Sequence, residues 1–429
     1  MTDQPIFAAI DLGSTKICAV LGQAIDDDRF EIVGVGSAST QNGIRNGTIV
    51  DVQQTVTAIR KAVDIAARKA NCQVNRVVVG FAGGEIDGQD QRVMIALKDR
   101  EVMSNDIDRI LQEAWTMMGC SASELLHTIP KSYKIDDQGG IVNPIGMVGA
   151  RLEALVHVIR GSDMVLANLK RSVERAGLAV RDGDLILQPL ASARAVLTED
   201  DKELGVCVVD IGGGTTTMVL YQNGALSGVR VIPLGGTSMT KDLAAVMRIS
   251  QSDAERIKKD VFASPGTPLP HEAEEGDAAA PSPPIVEEVN QPGGRKTQVK
   301  EVVEARLEEI LSRVKVELDR MRQGAYLARG IVLVGGIARM PNITPFAEKI
   351  FDMPVSVGQV APRVQGLVDH VSSPEYATSI GLLYFARDQW KPEEASHRED
   401  RSSTAPAESD KKQASSAGLN LWKWLKDII

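Results

Sequence analysis

The chain has 429 residues, 48 basic and 57 acidic side chains, a formal net charge of −9, 43% hydrophobic residues and 24% charged ones. At roughly 150 residues per domain this predicts two or three domains, or one large bilobal unit, of ordinary globular composition. An acidic chain without a basic block excludes nucleic acid as the main partner. Cys18, Cys72, Cys120 and Cys207 form no CxxC pair and read as reduced core cysteines, and the five scattered histidines argue against a His-based metal site. No apolar run reaches the ~18 residues of a membrane-spanning helix, and the N-terminus lacks the basic-then-apolar pattern of a signal peptide.

In chain order, the apolar patterning predicts strands over 7–13, 16–22 and 31–38, a helix over 52–70 and a strand over 76–82. Residues 85–162 follow as a compact α+β insert, with an amphipathic helix in 101–119 and a strand in 151–162. Helices are expected over 164–177 and 190–197, strands over 205–212 and 216–224, and a helix over 250–262. Residues 263–297 hold seven of the nineteen prolines among acidic and Ala/Ser runs, and read as a disordered loop between two helices. A helix over 299–322, a buried strand over 330–336, a helix start near Pro341 and a helix over 376–388 complete the globular part. This is an α/β chain with mixed sheets, since hairpins sit beside helical crossovers.

One internal echo stands out. AIDLGSTKICAVLG (9–22) matches VVDIGGGTTTMVLY (208–221), with Asp11 on Asp210 and Gly13 on Gly212. Each copy is a strand ending in Asp, a Gly/Ser/Thr turn and a second strand. No GxxxxGK[ST] loop occurs, and a dinucleotide fold would enter a helix after Gly212, Gly213 and Gly214, whereas Thr216 to Tyr221 favours a strand. The glycines therefore cap β-hairpins. Backbone N–H groups at such turns approach anions closely, and Ser14, Thr15, Lys16, Thr215 and Thr216 add donors. Asp11 and Asp210 together can hold Mg²⁺ through waters, the usual arrangement for a cation that dehydrates reluctantly. Gly335 and Gly336, after the strand 330–334, let a nucleotide lie against backbone.

Hairpin, helix, hairpin, Gly-Gly strand and final helix, in that order, resemble the actin, heat-shock-chaperone and sugar-kinase ATPase superfamily. The phrases IDLGSTKICAVLG, GIRNGTIVDV, LQPLASARAVL, VVDIGGGTT and SPEYATSIGLL are most similar to the FtsA family of cell-division proteins. The resemblance implies a bilobal actin-like ATPase fold: a duplicated mixed β-sheet with flanking helices and an inserted small α+β subdomain. The first lobe would comprise 1–84 and 163–200, the insert 85–162, the second lobe 201–235 and 325–390, and a further subdomain 236–324. It implies ATP with Mg²⁺ as cofactors. The first phosphate motif would be Asp11, Gly13, Ser14, Thr15 and Lys16; the second Asp210, Gly212, Gly213, Gly214 and Thr215. Gly235 and Gly236 would approach the nucleotide at the next helix start. Glu255 and Lys258 would contact ribose, although a solvated Glu–Lys helix face is the plainer reading. Gly335, Gly336 and Met340 fall on the adenosine motif. Gln188 sits where relatives orient the attacking water, and since an amide is a poor base, hydrolysis is expected to be slow at most. Ala191, Ser192, Ala193, Ala377 and Gly381 would let two connecting helices cross closely at a hinge.

Residues 391–417 are polar, and 418–429 read GLNLWKWLKDII. At about 100° per residue, Leu421, Trp422, Trp424, Leu425, Ile428 and Ile429 share one side of a helix, with Lys423 and Lys426 opposite. Such a helix with interfacial tryptophans suits an anionic membrane surface, and one so short anchors stably only in several copies. The resemblance implies an adaptor that polymerises, binds the C-terminal tail of FtsZ through 236–324, recruits later division proteins and works at the inner face of the cytoplasmic membrane. The alternatives are a carbohydrate or acetate-type kinase and a pilus-assembly actin-like protein.

Overall fold

The computed structural model describes residues 5–40, 42–83, 85–119, 121–181, 183–262 and 295–390. The terminal helix expected over 418–429, the linker 391–417 and most of the Pro-rich segment lie outside the described residues.

The first lobe opens with β1 (Ile6–Leu12), β2 (Lys16–Ala24), β3 (Phe30–Ser39), a tight pair β4 (Ile44–Arg45) and β5 (Thr48–Ile49), helix α1 (Val52–Ala70) and β6 (Val78–Phe81). The α1 bounds follow from its caps. Asp51 accepts from the Gln54 N–H at the start, and Asn71 ends the helix in the left-handed region at φ 49°, its N–H bonded to the Ala67 carbonyl. Val56, Ile59, Val63 and Ala66 form its buried stripe against the sheet.

The insert follows as β7 (Asp87–Ala96), α2 (Ser104–Met117), β8 (Leu125–Ile135), β9 (Gln138–Ile141) and β10 (Arg151–Arg160). These strands form one antiparallel sheet in the order β7-β10-β8-β9, with α2 laid across it. The chain returns through α3 (Asp163–Arg175), β11 (Leu185–Leu187), α4 (Gln188–Val196) and α5 (Glu199–Leu204). The second lobe holds β12 (Val206–Ile211), β13 (Thr216–Gln222), β14 (Ala225–Ile232), α6 (Gly236–Met247), α7 (Gln251–Phe262), a long helix Arg295–Arg322, β15 (Gly330–Val334), a helix Ile343–Phe351 and β16 (Val355–Val357). Finally β17 (Val364–Gly366) returns to the first lobe ahead of the last described helix, Ala377–Asp388. The long helix starts at Arg295, so 295–297 belong to it rather than to the Pro-rich loop expected to run to 297.

The sequence echo is an architectural duplication. The first sheet runs β11-β6-β1-β2-β3-β17 and the second β16-β15-β12-β13-β14; read in those orders, each has two parallel pairings and then two antiparallel ones, and the first sheet adds β17 parallel to β3. Even the register repeats, with Asp11 opposite Cys18 in one and Asp210 opposite Thr217 in the other. The last helix and α4 pack together between the sheets, and the cluster around them takes in Val208, Val219 and Val229 from the second lobe. A separate cluster on the other face of the second sheet buries Leu243, Ile257, Leu307 and Leu318.

The crossing of α4 with the last helix depends on one absent side chain. A Cβ on Gly381 would overlap the Ala191 carbonyl and backbone. That contact is main chain and cannot swing away. Gly381→Ala is expected to cost about 1–3 kcal/mol by overpacking, read as a lowered thermal or urea midpoint. Gly336→Ala, where an added Cβ meets nothing within 4 Å, is expected to leave the midpoint in place.

Candidate functional site at the junction of the lobes

The two hairpins meet at their tips. Added carbons on Gly213 and Gly214 would run into the side chains of Thr15 and Ser14, and the one on Gly214 would also lie 3.1 Å from the Asn46 nitrogen. The β4–β5 turn supports the first tip, since Gly47 N–H donates to Ser14 Oγ at 2.9 Å. Thr40 fastens the same tip, its Oγ1 donating to the Ser14 carbonyl at 2.8 Å. The second tip is held from below. Gly236 and Thr237 N–H at the start of α6 donate to the Gly212 and Gly213 carbonyls at 2.9 and 2.7 Å. Gly235 and Gly236 are buried there, so in this structure they support the hairpin backbone.

Asp11 and Asp210 end the strands leading into the two tips. Each keeps some accessible surface, yet protein surrounds both. Burial, then the charge of Asp210, pushes Asp11 up to about 7, against the opposing pull of Gln188 and Lys16. Burial raises Asp210 to about 6, against the Thr378 hydrogen bond. Gln188 Nε2 donates to Asp11 Oδ1 at 2.5 Å, and Thr378 Oγ1 to Asp210 Oδ2 at 3.0 Å. Gly335 closes one side: at φ 87° it lies so near that a Cβ would strike Asp210 Oδ1. Opposite Asp210 in the ladder, the Thr217 hydroxyl is buried without a hydrogen-bond partner in the structure. Two desolvated carboxylates with raised proton affinity and an unmatched hydroxyl beside one of them are the chemistry of a hydrated hard-cation site. Among the described residues no cluster of three or more His, Cys, Asp or Glu ligands exists, so a cation here relies on waters and on a ligand's own oxygens.

The remaining expected residues fall around this junction. Lys258 is buried and donates to the Gly236 carbonyl at 3.2 Å, Thr240 Oγ1 at 2.9 Å and Glu255 Oε2 at 2.7 Å. A solvated Glu–Lys helix face therefore does not describe this pair. Burial lowers the Lys258 ammonium's proton affinity, and the Glu255 charge offsets that only in part. Gly336 is exposed and starts a short 3₁₀ turn, Gly336–Arg339, that ends at the half-buried Met340. Lys16 bonds Glu375 Oε2 at 3.0 Å and lies 4.7 Å over the Tyr376 ring. Sequence reasoning missed Glu375, Thr378, Arg339 and the Asn46–Gly47 turn as site residues. The phrases GIRNGTIVDV and SPEYATSIGLL carry three of them, without showing which side chains turn toward the cleft. Two surface cavities of about 800 and 820 Å³ lie elsewhere, one by the ends of α1 and α3, the other between the Asp26–Arg29 turn and β16.

A duplicated five-strand core, helices crossing between the sheets and facing Asp-ended hairpins define the actin-like ATPase fold. The PilM-PilN type IV pilus biogenesis complex shares that fold at 15% identity, with a TM-score of 0.62 over 89% of this chain and 98% of that one. The family model for cell division protein FtsA matches residues 207–381, and that for the SHS2 domain inserted in FtsA matches 83–160. Cell division protein FtsA of Neisseria meningitidis serogroup B (strain ATCC BAA-335 / MC58) is 38% identical over 393 residues, 89% of this chain and 90% of that protein. The Escherichia coli (strain K12) protein of the same name is 34% identical over 401 residues, 90% of this chain and 91% of that one. The chain belongs to the FtsA family of cell-division proteins. The kinase and pilus-assembly alternatives give way to that membership.

The carboxylate pair gives a pH prediction. Both groups hold protons more tightly folded than unfolded, where Asp titrates near 3.8. Their contribution to stability is therefore present at acid pH and is lost as pH rises through about 6 and 7. Asp210→Asn removes the facing charge and is expected to flatten the fall in urea midpoint between pH 5.5 and 8 (values spanning both groups). An unchanged slope would count against the coupling.

Proposed function

We propose that the chain is a nucleotide-dependent adaptor of bacterial division, holding ATP and Mg²⁺ between its lobes. The facing pair Asp11 and Asp210 carries this reading: two desolvated carboxylates at matching places of a duplicated fold call for a cation between them. Bound there, magnesium would neutralise phosphate charge and satisfy both carboxylates through its waters. Amides of Gly13, Gly213 and Gly214, with the hydroxyls of Ser14, Thr15 and Thr215, donate to phosphate oxygens, while the Gly212 N–H closes the second hairpin on the Thr215 carbonyl at 2.9 Å. Lys16 adds a positive charge to the first hairpin. Glu255 accepts from ribose hydroxyls, with Lys258 fixing its carboxylate. Gly335, Gly336 and Met340 line the adenosine side, where the open space beside Gly336 favours a flat ligand. Gln188, bonded to Asp11, orients a water without accepting its proton, so hydrolysis is slow at most.

The rest of the proposal rests on family membership and on the last twelve residues. The chain assembles with itself as an actin-like filament, binds the tail of FtsZ through 236–324 and recruits later division proteins. The helix written in Leu421, Trp422, Trp424, Leu425, Ile428 and Ile429, with Lys423 and Lys426, holds it on anionic lipid at the cytoplasmic face of the membrane. Among the described residues no helix is long and apolar enough to cross a membrane. The linker of 27 residues gives the helix a reach of ~30 Å if it behaves as a coil. One such helix binds weakly, and a filament carrying many copies binds firmly.

Two measurements test this. Mg-ATP at a hundred times its Kd should raise the wild-type unfolding free energy by about 2.7 kcal/mol, and Asp210→Ala should abolish the gain. An equal gain in the variant would remove the cleft assignment. In co-sedimentation with phosphatidylglycerol-containing liposomes, the full chain should pellet and a chain ending at Ala417 should stay in solution. Equal pelleting would defeat the anchor.

A further inference from the structure

We propose that Glu375 is a positioning residue of the nucleotide cleft, one carboxylate that fixes Lys16 of the first hairpin and Arg339 of the adenosine-side turn and so sets how long a bound nucleotide stays. This deepens the nucleotide reading and rests on it. The two oxygens are divided between the lobes. Oε2 accepts from Lys16 Nζ at 3.0 Å, and Oε1 accepts from Arg339 Nη1 at 3.1 Å. The Glu375 side chain is only 17% exposed, so the water that weakens surface ion pairs is largely excluded. Burial alone would raise its pKa, but Lys16, Arg339 and Lys259 outweigh that and hold it below the usual carboxylate range.

Its neighbours tie the same two lobes. The Pro374 carbonyl accepts from Gly335 N–H at 3.1 Å, and Thr378 Oγ1 reaches Asp210. Residues 374–378 thus touch the first hairpin's lysine, the second hairpin's carboxylate and both ends of the Gly335–Arg339 turn. Lys16 begins β2 immediately after the Ser14–Thr15 tip and its charge acts on Asp11, so fixing its ammonium fixes a charge beside the carboxylate pair. Holding Arg339 in the same grip resists the parting of the lobes that release requires.

The test is release of N-methylanthraniloyl-ATP with Mg²⁺ from the full chain, chased with excess ATP in a stopped-flow instrument. Glu375→Gln keeps size but removes the charge and leaves one acceptor oxygen for two cationic donors, and its release is expected to be about tenfold faster, with the association rate changed less than about twofold. Arg339→Gln leaves the Lys16 pair in place and is expected to accelerate release by a smaller factor. Glu375→Asp, which keeps the charge, should restore part of the residence time. A merely structural role would lower the melting temperature of the nucleotide-free variants without changing release, and that outcome overturns the proposal. Should Glu375→Gln fail to fold, unaltered release in Arg339→Gln overturns it alone. Wild-type binding with wild-type release in both variants defeats this inference and spares the cleft; absence of wild-type binding defeats both.

Discussion

Two carboxylates face each other where protein largely replaces water, and the charge of Asp210 adds to burial in raising the proton affinity of Asp11. Asp11 and Asp210 stand at equivalent ends of duplicated strands, so the duplication itself brings like charges together where the lobes meet. Among the described residues neither forms a salt bridge, although the Lys16 charge acts on Asp11. Each has one neutral donor, Gln188 for Asp11 and Thr378 for Asp210, and these two come from the helices that cross between the sheets. Leaving such groups charged and partly paired is costly in a protein interior. Burial raises the proton affinity of both, to about 7 for Asp11 and about 6 for Asp210, and a cation between them is what the proposed function supplies.

The crossing helices are therefore part of the site as well as the packing between the sheets. Gly381 permits the approach to Ala191 that sets Gln188 and Thr378 at their depths. The segment 374–378 bonds Asp210, Gly335, Lys16 and Arg339, so helix crossing and site are one connected set of contacts. The insert adds a second link. Its strands β7, β8 and β10 lie against β14, the edge strand of the second lobe, and the His127 ring on β8 accepts the Leu187 N–H, one residue before Gln188. A body that grows out of the first lobe thereby touches the second and reaches the residue beside Asp11.

Local pattern made the hairpins legible, because a strand, an Asp, a small-residue turn and another strand lie within fourteen residues of chain. The echo between two such stretches made the bilobal fold legible too. The helix 52–70 was readable to the residue because Asp51 and Asn71 cap it. Most of the insert's sheet was not, and β8 shows why. Pro130 sits inside that strand, where proline ordinarily argues against one, and a register shift at Leu155/Val156 accommodates it. Nor was the fate of Lys16 readable. Its donor chemistry was plain, but the carboxylate it holds lies 359 residues further along the chain, and only tertiary packing brings the two together. The same applies to Thr378, which lies beside Ala377 in the packed helix and whose hydroxyl serves Asp210.

The central claim is that Asp11 and Asp210 form a coupled pair whose charge is balanced by a nucleotide-bound cation. Carbon-13 NMR of side-chain carboxyls in aspartate-labelled protein, with Asp11→Asn identifying the resonance, follows this directly. Without nucleotide the Asp11 carboxyl should titrate near 7, and with Mg-ATP it should stay ionised down to pH values well below that. A carboxyl that titrates as an ordinary aspartate in the free protein, or one whose titration ignores Mg-ATP, would contradict the account.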